Sequence, residues 1–103
     1  MTLDSLIRSR DLGRVDLVKI DVEGAELPVL QGARETLRRD EVSFLIELHS
    51  CGRTQDKVCG LLCDNAFHLY EVRDHLEPIA AAGRQIGKRA LEHVFATRDE
   101  LTD

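Results

Sequence analysis

A chain of 103 residues with 43% hydrophobic content lies near the lower size at which one domain builds its own core, so residues 1–103 are read as a single domain. Lys and Arg number 14 against 19 Asp and Glu, a formal charge of -5 without a long basic run, and aromatic content is 4% with no tryptophan. Charge therefore excludes a nucleic-acid partner and an anionic membrane surface, and scarcity of rings excludes a base-stacking platform.

In "TLDSLIRSRDLG", Leu3, Leu6 and Ile7 have helical spacing, Thr2 or Asp4 offers an N-cap, and Gly13 falls where a helix stop belongs. "VDLVKIDV", Val15 to Val22, puts Val18, Ile20 and Val22 on one parity and Lys19 and Asp21 on the other, which predicts a strand with one dry face. The period then changes. "GAELPVLQGARETLRRD" sets Leu27, Leu30, Ala33 and Leu37 on one stripe, and Pro28 is tolerated only in the first turn, so a helix of about four turns begins close to Gly24. "VSFLIELH", Val42 to His49, is a second strand, too continuously apolar for an exposed sheet. Strand, helix and strand form a βαβ unit with parallel neighbouring strands.

A further helix opens at Thr54 with Val58, Leu61 and Leu62 inward, and "FHLYEVR" and "LEHVFATR" are two more strands joined by a polar segment from about Asp74 to Lys88. The fold class is α/β. No window reaches the roughly 20 apolar residues of a membrane span, and "MTLDSLIRSRDLG" lacks a basic segment followed by an apolar core, so no membrane association and a cytoplasmic address are expected. Cys51, Cys59 and Cys63 form an odd set without a dense disulfide pattern, which agrees with a reducing compartment.

Ligands of parallel sheets bind beyond the carboxyl ends of the strands, which here carry Asp21 and Glu23 on the first and Glu47 and His49 on the second. Two-residue spacing points both members of each pair to one side if strand geometry persists, and neighbouring strands lie about 4.8 Å apart. Such a wall suits a general base that takes a proton from a hydroxyl, or an incomplete shell for a hard cation. Architecture offers competing explanations. Glu23 and Glu26 suit a helix N-terminus, Gly24 serves a sharp turn or a close helix approach, and Lys19 pairs with Asp21 or Glu47. Glu47 is read as a buried acid that needs a partner. Cys59 and Cys63, with Cys51, His49 and His68, match no zinc pattern, so no metal is assigned. His75 and His93 have no motif around them, and GxSxG, HExxH, P-loop and GxGxxG are absent.

"TLDSLI", then "VDLVKIDVEGAELPVLQGA", then "SFLIELH" resembles the C-terminal half of the FkbM-type methyltransferases, from about Thr2 through His49 and more loosely to "HVFATR". The resemblance implies S-adenosylmethionine as cofactor and O-methyl transfer to a hydroxyl of a small molecule or sugar. It also implies a partial class I methyltransferase sheet, Rossmann-like, with a parallel βαβ core followed by an antiparallel edge pair. On that mapping Val15–Val22 and Val42–His49 are the fourth and fifth strands; Asp21 and Glu23 face the methyl donor, and Glu47 and His49 lie beside the acceptor. The family's Gly-rich first turn and its ribose-binding acid precede this region, so the expectation is a truncated domain with no residue of this chain assigned to cofactor binding. The alternative is a non-catalytic interaction module whose exposed sheet edge favours a homodimer or a partner supplying the missing half.

Overall fold

Thr2, rather than Asp4, caps the first helix, α1 (Leu3–Ser9), in the computed structural model, which describes residues 2–48, 53–79 and 91–99. The Ser5 amide donates to Thr2 Oγ1 at 3.1 Å and the Thr2 amide donates to Ser5 Oγ at 3.0 Å, a reciprocal capping box. The helix stops before Gly13. Asp11 takes the left-handed conformation with φ 53°, and the Leu12 amide reaches back to the Ile7 carbonyl at 3.1 Å, the bond pattern of a Schellman motif.

Strand β1 (Leu17–Ile20) leads through α2 (Glu26–Gln31) and a 3₁₀ turn (Thr36–Arg38) into β2 (Ser43–Glu47). The expected four-turn helix is thus two short pieces. Asp4 divides them: its carboxylate accepts the amides of Glu35 and Thr36, which would otherwise continue the α-helical ladder. Its own amide donates to the Gly32 carbonyl at 3.2 Å. A Cβ at Gly32 would come within 3.0 Å of Thr2 Cβ, so the absent side chain is what lets α1 sit on the break. The apolar stripe survives the interruption, with Leu30, Ala33 and Leu37 buried.

Helix α3 (Arg53–Asp64) follows, then β3 (His68–Val72), β4 (Leu76–Pro78) and β5 (His93–Thr97). The sheet order is β1-β2-β5-β3-β4, with β1 and β2 parallel and β5 antiparallel to both β2 and β3. This is an α/β fold with a parallel βαβ core and an antiparallel flank, compatible with a partial Rossmann-like methyltransferase sheet. Strand β4 was not expected. It falls inside the segment read as a loop, and its Pro78 is tolerated because β4 is an edge; residues 80–88 of that segment lie outside the described residues.

One sheet face is dry. Ile20, Phe44, Ile46, Val94, Ala96 and Leu69 join Leu30, Val58, Cys59 and Leu62 in a single core, and each large side chain buried there contributes about 1.5–3 kcal/mol. Gln55 on α3 accepts the Leu91 amide at 2.8 Å, which fixes the start of the last strand against the helix. At the far end of the sheet the Arg98 guanidinium lies 4.3 Å from the Phe67 ring centroid and donates to the carbonyls of Leu37 and Arg39. Among the described residues no helix is long and apolar enough to cross a membrane.

Candidate functional site

Parallel pairing brings the carboxyl ends of β1 and β2 side by side, with Ile20 opposite Ile46 as the last registered pair. Asp21 follows Ile20 just past the end of β1, and Glu47 follows Ile46 as the last residue of β2. Glu47 in turn faces His93 across the antiparallel β2–β5 ladder. Residues directly opposite in a sheet share a face, so Glu47 and His93 lie on one face of β2 and β5, and Asp21, next along the chain past β1, extends this polar row. His93 Nε2 lies 4.0 Å from Glu47 Oε2.

Burial patterns place this row on the side away from the main core. β2 alternates half-buried and buried from Ser43 to Glu47, with Phe44 and Ile46 on the dry side. Glu47 is therefore not the buried acid that its apolar neighbours in the sequence suggested; its side chain is 34% exposed. Its parity puts it opposite the helices, where water competes for its oxygens. His93, passed over for want of a motif, enters the row through the register of the last strand.

Glu23 does not share the side of Asp21 by strand parity, because the strand ends at Ile20 and a turn follows. The Ala25 amide donates to the Val22 carbonyl at 3.3 Å, and Gly24 has φ 77°, the sign required at the third position of a type II turn. An added Cβ at Gly24 would meet nothing within 4 Å, so this glycine serves backbone conformation and not close packing. Glu23 is exposed at the turn's tip, and Asp21 is exposed beside it. His49 lies outside the described residues. Behind the turn, Glu26 opens α2 with 0% exposure. Its burial goes well beyond what a favourable helix-dipole position asks of a carboxylate.

Along the outer edge of β1 runs a groove of about 410 Å³, formed by Leu3, Val18, Ile20, Val22 and Val29 with Lys19 and Asp21 at its rim. Among the described residues no ion pair joins Lys19 to Asp21 or Glu47. Lys19 is therefore not the structural counter-ion that its position suggested.

A family model described as the Methyltransferase FkbM domain matches residues 1–89. The chain belongs to the FkbM methyltransferase family. No curated protein and no solved structure gives a match.

In this FkbM domain the turn after β1 and the Asp21–Glu47–His93 row lie within or beside the matched segment, His93 falling just past its end. A methyl donor carrying a carboxylate and a ribose needs free backbone amides and an acid close together. Gly24 is the one described glycine at this end of the sheet, and the Ala25 amide behind it is already bonded to Val22. The described residues thus offer no cradle for such a donor. What they offer is a polar row and, along β1, an apolar groove.

The remaining titratable groups have other tasks. Burial pushes the Cys59 thiol up to about 12, with Cys63 and Asp56 adding to the rise, so Cys59 behaves as a small hydrophobe. Among the described residues no group of three or more His, Cys, Asp or Glu is arranged to hold a metal ion. Cys51 lies outside the described residues.

Proposed function

We propose that this chain forms the acceptor-side wall of an S-adenosylmethionine-dependent O-methyltransferase whose substrate is a hydroxyl of a small molecule or sugar. The juxtaposition of Asp21 with Glu47 at the carboxyl ends of a parallel pair supports this reading most strongly. A hydroxyl is a weak nucleophile until its proton is taken, and a carboxylate within hydrogen-bond reach can take it. In this reading Asp21 or Glu47 accepts that proton, and His93 sits where it can hold or relay it. S-adenosylmethionine, implied by the family, supplies the methyl group when bound.

A second reading is favoured by the open edge of β1, which suits an interaction module working through that edge. Calorimetric titration of the purified chain with S-adenosylmethionine and with its demethylated product separates the two. Binding tighter than millimolar supports the enzyme. The absence of heat at high ligand concentration contradicts autonomous methyl transfer and leaves the interaction module.

A further inference from the structure

Between the α2 segment and the last turns of α3 lies a cleft of about 330 Å³, with Leu30, Leu37 and Leu61 as its apolar walls. Arg38 closes the 3₁₀ turn ahead of β2 and Asn65 follows α3 ahead of β3, and β2 and β3 both run antiparallel to β5. The cleft therefore sits at the amino ends of these strands, a strand's length from Glu47. Its charge is opposite to that of the chain. Acids outnumber Lys and Arg 19 to 14 overall, yet Arg34 and Arg38 line the cleft and, among the described residues, no carboxylate does. Arg8, Arg14, Arg39 and Arg73 are engaged by carboxylates and Arg98 by backbone carbonyls, whereas among the described residues Arg34 and Arg38 make no ion pair. The carboxyl end of a helix ordinarily repels anions. Here its carbonyls are occupied: Asn65 Nδ2 donates to Leu61 at 2.8 Å, the Asn65 and Phe67 amides donate to Leu62 at 3.1 Å each, and the Arg98 guanidinium donates to the Asn65 carbonyl at 3.3 Å.

We propose that this cleft binds a small organic carboxylate carrying an apolar chain. Guanidinium groups present planar pairs of donors that match a carboxylate, and they are weakly enough hydrated to be partly stripped of water beside an apolar wall. The three leucines take the chain, and the Gln31 amide adds a donor at the rim. The volume is near the lower end of ligand clefts, about 300–1,000 Å³, which suits a ligand of this size. A bare anion gains nothing from the leucine walls, and a neutral alcohol gains no charge-assisted bond, so the ligand needs both halves. The inference is independent of the methyl-transfer reading, whose residues lie at the other end of the sheet.

Titration of the isotope-labelled chain with octanoate, followed by the NMR shifts of backbone amides and arginine Nε–H groups, tests it. Shifts are expected to cluster at Leu30–Arg38 and Leu61–Asn65 and to saturate at millimolar octanoate or below. Octanol and inorganic phosphate, each carrying one half of the ligand, are expected to bind roughly tenfold more weakly or worse. The double variant Arg34→Gln with Arg38→Gln weakens octanoate binding roughly tenfold or more. Both side chains are exposed, so its circular dichroism stays that of the wild type. Arg53→Gln, at the opposite end of α3, leaves octanoate binding unchanged. The absence of saturable shifts overturns the proposal, as do shifts centred elsewhere in the chain, octanol or phosphate binding as tightly as octanoate, or an affinity indifferent to the double variant. Because the readout maps the ligand onto residues, its failure is distinct from failure of the cofactor titration.

Discussion

Asp4 Oδ1 accepts hydrogen bonds from both the amide of Thr36, at 3.0 Å, and its hydroxyl, at 2.7 Å. Oδ2 takes the Glu35 amide at 2.9 Å, so one carboxylate from α1 caps the turn that follows α2. Burial pushes this carboxyl up, but those bonds and the Arg8 guanidinium outweigh it and hold its pKa below the ordinary value. Removing it leaves two amides without an acceptor beneath α1. Asp4→Ala is expected to cost about 3 kcal/mol, a charged acceptor lost from partly buried donors. A depressed folded pKa contributes stability above the unfolded value, about 3.9, and that contribution is lost as pH falls through the folded value. Urea unfolding across the acid range checks both points: the wild type loses this component on acidification, and Asp4→Asn lacks it throughout.

Gly24 is the hinge between β1 and α2, and its cost on substitution is conformational. With φ 77° and open space around a would-be Cβ, Gly24→Ala is expected to destabilise by about 1–2 kcal/mol without any clash. Chemical denaturation reads the loss. A near-neutral result would mean that the turn adopts another shape.

The converse holds at Ala66, which occupies φ 67° just past α3. The Phe67 amide donates to the Leu62 carbonyl at 3.1 Å, so this is a Schellman stop in which alanine does the work usually given to glycine. Ala66→Gly is expected to raise stability by about 1 kcal/mol and to increase the melting temperature correspondingly.

Cys59, with its thiol pushed up to about 12, is expected to resist alkylation in the folded chain at mildly alkaline pH. Peptide mapping after iodoacetamide treatment, with and without denaturant, reads its modification directly. Rapid labelling of Cys59 under native conditions would contradict the burial seen here.

Strands announced themselves through parity. Val18 with Ile20, and Phe44 with Ile46, lie on the faces their spacing required, whereas Val22, past the strand's end, is exposed; the Leu30, Ala33 and Leu37 stripe is buried even though its helix breaks. The break itself was illegible because its cause, Asp4, is distant in sequence and resembles an ordinary cap residue. Strand β4 was missed because three exposed residues ending in proline carry no strand signal; pairing with β3 alone defines them. Asp21 and Glu47 were visible as candidates because sheet ends are special. Glu47 beside His93 was not, since that contact depends on the register of a strand far along the chain. Gly24 left two explanations open in the sequence, and only its positive φ chose between them.

We propose Asp21 and Glu47 as the proton-accepting wall of a methyl-transfer site. Transfer of a labelled methyl group to a hydroxyl acceptor, compared between wild type, Asp21→Asn and Glu47→Gln, tests it most directly. Each replacement keeps the side chain's size while removing its basicity. The expected result is a loss of about 100-fold or more in kcat for at least one of the two. Wild-type kcat in both variants would contradict the claim.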